Sequence, residues 1–190
     1  MTSDERRMSG FSIIELLIVV AVMGILAGLV LPRSDPSLHE QLRSAAQIVA
    51  ADLAYGRSLA VTNNSRYRFT LDTTNNRYVL EHSGTDPTLD TLPDTPFRSS
   101  SDPPNQQIVD LAELPSLGST VRIVAVTAGG SPPQSVGDVE FDPLGGTARA
   151  EETTIWLAAG AGSATRYLRL HVNPVTGLCT VGAYSGGGPP

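Results

Sequence analysis

The sequence predicts an α+β fold: a long N-terminal helix, half membrane-type and half amphipathic, packed on antiparallel β-sheets. Three observations predict it. An almost wholly apolar run covers Phe11 to Leu31, a segment with helical periodicity covers Ser37 to about Thr62, and every later apolar run is short, alternating and bounded by Pro or Gly. At 190 residues the chain has room for one globular domain once the apolar run is set aside.

Leu16 to Leu31 holds no charge, and with Phe11 to Ile14 it makes roughly 20 residues, enough to cross about 30 Å of hydrocarbon as a helix. Arg6 and Arg7 precede the run, while Arg33 alone stands close behind it, followed by acids. That bias places the N-terminus in the cytoplasm and the rest outside, although Asp4 and Glu5 dilute it. Ala27-Gly28-Leu29 imitates a signal-peptidase site only weakly. Glu15 is the anomaly. A carboxylate at the centre of a membrane helix costs roughly 2.5–3.5 kcal/mol and less near the ends, so it calls for a cation.

Pro32-Arg33-Ser34-Asp35-Pro36 breaks or kinks the path, because each Pro removes an amide and biases its predecessor away from the α region. Ser37 is the expected N-cap of the next helix, with Glu40 closing a capping box. Leu38, Leu42, Ala45, Val49, Leu53 and Leu59 form its apolar stripe; Glu40, Gln41, Arg43, Asp52 and Arg57 fall off it. The helix then gives way to a hairpin. Tyr67, Phe69 and Leu71 alternate with Arg66, Arg68 and Thr70, Asn75-Asn76 makes the turn, and Tyr78-Val79-Leu80 returns. Further strands are expected from Thr120, Val139, Thr153, Arg166 and Cys179. The turns Asp142-Pro143-Leu144-Gly145-Gly146 and Asn173-Pro174-Val175-Thr176-Gly177 combine Pro with a glycine where φ changes sign. Pro-rich loops fill roughly 82–106 and 129–137, and the tail at 185–190 is expected to be mobile.

Composition excludes several function classes. A net charge of −6 argues against a general nucleic-acid surface, which needs clustered Lys and Arg. The one cysteine, Cys179, has no partner for a disulfide or a Cys-type metal site and reads as a small strand residue. His39, His82 and His171 lie in different elements without metal-ligand spacing. Asp86, Asp90 and Asp94 recur every fourth residue in a Pro-rich loop, but the EF-hand pattern is missing. No phosphate loop, Gly-x-Ser-x-Gly elbow or defensible Ser/His/Asp order is present, so no cofactor, metal or catalytic residue is assigned and an enzyme is not expected.

Gly10-Phe11-Ser12-Ile13-Ile14-Glu15, opening an unbroken apolar helix, resembles the processing site of type IV pilins and type II secretion pseudopilins. Gly24 within the helix and Pro32 at its end fall where that family places them. The resemblance implies a leader peptide at 1–10, cleavage between Gly10 and Phe11 by a membrane prepilin peptidase, methylation of the Phe11 amine by the same enzyme, and a filament-core helix at 11–31. It further implies assembly with other pilins or pseudopilins in the inner membrane, through Glu15 pairing with a Phe11 amine, its own or a neighbour's. Over 32–184, "ADLAYGRSLAVTNNSRYRF", "VEFDPLGG" and "LRLHVNPVTGLCTV" are similar to the soluble domain of the GspH/FimT group of minor pilins and pseudopilins. Members that take up DNA share a basic Gly-Arg-x-Arg stretch after the last Pro-x-Gly turn. The matching positions here read Gly177-Leu178-Cys179-Thr180, so a DNA-receptor role rests only on an Arg66/Arg68/Arg166/Arg169 stripe, for which a solvated sheet face is the simpler account.

Overall fold

The structure is a computed structural model that describes residues 12–30, 37–95, 99, 101–114 and 120–190. Gly10, Phe11 and Pro32 lie outside the described residues, as does the expected kink at 32–36. The chain divides into two compact units, Met1–Asp35 and Pro36–Pro190.

In the first unit, helix α1 runs Ile13–Val30. Among the described residues no helix is both long and apolar enough to cross a membrane. The 18 residues of α1 rise about 27 Å, against about 30 Å of hydrocarbon, and the expected span also takes in Phe11 and Leu31.

The second unit starts with helix α2, Leu38–Thr62. Its N-terminus is the expected capping box: Ser37 Oγ accepts from Glu40 N at 3.3 Å, and Glu40 Oε2 accepts from Ser37 N at 2.9 Å. These bonds satisfy donors that a helix start otherwise leaves orphaned. Leu42, Ala45, Ala46, Val49, Leu53, Leu59 and Ala60 are buried on one face, and Leu38 packs at the edge of the core.

Among the described residues nine strands follow: β1 (Tyr67–Asp72), β2 (Arg77–His82), β3 (Gln106–Asp110), β4 (Val121–Ala128), β5 (Gln134–Ser135), β6 (Asp138–Phe141), β7 (Thr153–Ala159), β8 (Arg166–Val172) and β9 (Cys179–Ser185). They form two antiparallel sheets ordered β3-β2-β1-β6 and β5-β4-β7-β8-β9. In the first, Tyr67, Phe69, Tyr78, Leu80, Val139 and Phe141 turn inward; in the second, Ile155, Leu157, Leu168 and Leu170 do. Helix α2 covers the inner side of both. Asn76, at φ 54° in the β1–β2 turn, joins the sheets: its Nδ2 donates to Val121 O and its Oδ1 accepts from Ile123 N, each at 2.9 Å.

Two expectations about α2 are corrected. Asp52, placed off the apolar stripe by periodicity, is only 6% exposed, and its Oδ2 accepts from Tyr78 Oη at 2.6 Å. Burial raises the Asp52 carboxyl above its ordinary value, and the Tyr78 bond pulls it back less strongly. Arg57, also placed off the stripe, is half-buried beneath two loops. Two strands were not expected: β3 starts at Gln106, where the first Pro-rich loop ends, and β5 lies inside the second. In β3 the inward positions are Gln107 and Val109 while Ile108 faces out, so the polarity pattern hides the alternation; Gln107 is buried and accepts from Thr95 Oγ1 at 3.1 Å. The other, β5, has two residues and leaves no periodicity to read.

Candidate functional site

Helix α1 has no polar face. Ile13, Ile14, Leu16, Leu17, Ile18, Val19, Val20, Val22, Met23 and Ile25 are all exposed, and at 100° per residue they go round the whole helix. A helix apolar on all sides belongs in lipid or among other helices. At about 1.5 kcal/mol or more for each large side chain taken out of water, covering these ten is worth on the order of 10 kcal/mol even in part. Glu15 is the one charge on it. The amides of Glu15 and Leu16 donate to Ser12 O at 3.0 and 3.1 Å, which makes Ser12 the N-cap and puts Glu15 in the first turn. There the positive end of the helix dipole favours an acid, so local structure lowers the cost of the charge before any partner arrives. Ser12-x-x-Glu15 is the capping-box spacing, a signal the sequence carried unread. The amine expected to pair with Glu15 belongs to Phe11, outside the described residues. Gly24 lies within α1 with nothing near its missing Cβ, so the described residues give it no packing role.

In the second unit, two turns meet over the C-terminal part of α2. Arg57 Nε donates to Gly145 O at 2.9 Å and to Thr176 O at 2.7 Å. Gly145 (φ 85°) and Gly177 (φ 63°) make the expected sign changes. A Cβ at Gly177 would come within 2.2 Å of Gly145 O, so the close approach of the loops requires glycine. Asp142 Oδ1 accepts from Leu144 N and Gly146 N, and Asn173 Oδ1 from Val175 N and Thr176 N, which explains the acidic or amide residue opening each turn.

The four-arginine stripe is not assembled. Arg68 Nη2 binds Glu140 Oε2 at 2.7 Å and Arg66 lies 3.8 Å from the same carboxylate, both at the β1–β6 sheet. Arg169 belongs to the other sheet, 5.3 Å over the Trp156 ring, and Arg166, three residues earlier on β8, falls on the opposite side of the strand. The structure disperses the other singled-out residues too. His39 meets Tyr184 edge-on at 4.7 Å, and His171 Nδ1 lies 2.8 Å from Glu152 Oε1. Among the described residues no cluster of His, Cys, Asp or Glu could hold a metal. Asp86 caps a short 3-10 turn through Thr88 N. Cys179 is a free thiol at the start of β9, pushed up to about 12 by burial. One grouping was not legible: His82 lies between Ser65 and Asp90, 2.7 Å from each.

Comparison with known proteins bears on both units. The prokaryotic N-terminal methylation motif matches residues 6–31. No curated protein matches the chain. Among solved structures, the fold is similar to the minor pseudopilin EpsH from the Type 2 Secretion System of Vibrio cholerae, at 12% identity over 75% of this chain and 97% of that one, with a TM-score of 0.52. It also matches the type IV minor pilin FimU of Pseudomonas aeruginosa at 15% identity, over 76% of this chain and 90% of that one, with a TM-score of 0.47. The chain thus joins an N-terminal methylation motif to an α+β fold of the minor pseudopilin kind.

Proposed function

We propose that the protein is a minor pseudopilin or minor pilin, a non-catalytic subunit of a type II secretion or type IV pilus-like filament. A prepilin peptidase cuts between Gly10 and Phe11 and methylates the new amine. The subunit is held in the inner membrane by 11–31, with its N-terminus cytoplasmic and the second unit periplasmic, and it enters the filament when α1 packs among the equivalent helices of other pilins or pseudopilins. The observation that carries this reading is α1 itself, apolar on every side, exposed, and bearing one acid at its N-terminal end. In a helix bundle Glu15 reaches a neighbour's Phe11 amine and so sets the stagger between subunits. Gly10→Ala should block maturation, seen as retention of the longer precursor on a gel of cell membranes; mature-length protein would refute the processing step. Glu15→Val should leave membrane insertion intact but reduce recovery in sheared filaments about tenfold, and unchanged recovery would refute the pairing.

The DNA-binding reading is the weaker one, because Arg66 and Arg68 are already engaged by Glu140. Tight, salt-sensitive binding of duplex DNA in a gel shift would reinstate it.

A further inference from the structure

We propose that Ser65 is an activated nucleophile, a covalent attachment site that accepts an acyl group from an activated carboxylic ester. Its three parts come from separate places: Ser65 from the bend after α2, His82 from the last position of β2, and Asp90 from the turn beyond it. Ser65 Oγ lies 2.7 Å from His82 Nε2, and His82 Nδ1 lies 2.7 Å from Asp90 Oδ1. In the tautomer whose Nδ1 donates to Asp90, Nε2 is left to accept from the serine, the arrangement by which a base activates a hydroxyl. The His82 side chain is fully buried, so its orientation is held from all sides.

The hydroxyl adjoins a cavity of about 220 Å³ whose lining includes Ser65, Arg66, Ser83 and Gly84. Gly84 brings its backbone against the reacting atoms: a Cβ there would lie 2.1 Å from Ser65 Oγ and 2.7 Å from His82 Nε2. The backbone nitrogen of Arg66 lies 3.3 Å from the same position, so main chain as well as side chains crowds round the hydroxyl. Ser83, in the same wall, has a buried Oγ with no partner. A histidine-paired hydroxyl and a buried, unsatisfied hydroxyl adjoin one cavity, and together they fit an ester rather than a bare ion.

In the step, Ser65 Oγ attacks the acyl carbon as its proton passes to His82 Nε2. The Oγ–C bond forms, the bond from the acyl carbon to the leaving alkoxide breaks, and His82 returns the proton to that alkoxide, giving a serine ester and a free alcohol with nothing oxidised or reduced. A short acyl group fits the cavity beside Ser65, and a single transfer per chain is compatible with a structural subunit.

The test uses the full chain in detergent with p-nitrophenyl acetate as the probe and peptide mass spectrometry as the readout. Ser65 should take one acetyl group at least about 100-fold faster than the exposed Ser99 and Ser101, the scale of general-base assistance. Ser65→Ala should abolish the fast adduct. Asp90→Asn should slow it tenfold or more while leaving the circular dichroism spectrum unchanged. Acetylation of Ser65 no faster than of Ser99 and Ser101 in the unmodified sequence, which needs no variant to fold, would overturn the proposal. So would an unchanged rate in a folded Asp90→Asn protein.

Discussion

Replacing Asp52 by Asn should stabilise the protein at neutral pH, a prediction that follows from one buried contact. Asp52 is 6% exposed, and Tyr78 Oη, at 2.6 Å, is its hydrogen-bond partner. Burial raises the folded carboxyl above its unfolded value of 3.8, so between 3.8 and the folded value the native state holds a proton that the unfolded chain has released. Stability from this group is therefore fully present below about 4 and falls as pH rises through the folded value. The amide in the Asp52→Asn variant keeps an oxygen acceptor for Tyr78 and has no charge to desolvate. Because Tyr78 compensates part of the burial, the gain at pH 7 should fall below the roughly 1–3 kcal/mol typical of a polar group buried without a partner, and it should vanish near pH 4. Tyr78→Phe works in the opposite direction. It leaves the buried carboxylate without its donor and should cost about 2–3 kcal/mol at pH 7, less in acid. Urea unfolding between pH 4 and 8 at constant m-value measures both. If Asp52→Asn is less stable than the parent at pH 7, or retains the same pH slope, Asp52 is not the group that sets that slope.

Arg57→Ala should cost about 2 kcal/mol, since the guanidinium bonds to two loop carbonyls are lost together, and amide exchange should accelerate at Gly145 and Gly177. Unchanged exchange at those amides would show that the turns hold themselves. Gly177→Ala combines φ 63° with a Cβ 2.2 Å from Gly145 O and should cost more than about 2 kcal/mol in the same urea assay. Ser37→Ala removes half of a reciprocal cap and should cost about 1 kcal/mol, with faster exchange at Glu40 N but not in the middle of α2.

Local chemistry was legible. The α2 cap at Ser37 and Glu40, the β1–β2 hairpin, strands β4 and β6–β9, and the two turns that combine Pro with Gly follow from periodicity, cap spacing and glycine placement, which act over a few residues. The misses share a cause. Periodicity gave the right helix but sorted its residues by polarity, so Asp52 and Arg57 were sent to solvent; what keeps them inside is a hydroxyl 26 positions away and carbonyls 88 and 119 positions away. For the same reason β3 escaped, because its buried Gln107 is satisfied by Thr95 from another segment.

By itself the sequence determined that an N-terminal helix apolar all round carries one acid near its start, and that a capped amphipathic helix precedes antiparallel strands. Those properties are fixed by residue type and spacing. Only the tertiary structure decided which polar groups meet. It paired Arg68 with Glu140 and set Arg66 beside the same carboxylate, stacked Arg169 on Trp156, and brought Ser65, His82 and Asp90 into line. A hydrogen bond needs partners within about 3 Å in space, and no spacing along the chain specifies that distance once strands pair and loops fold back.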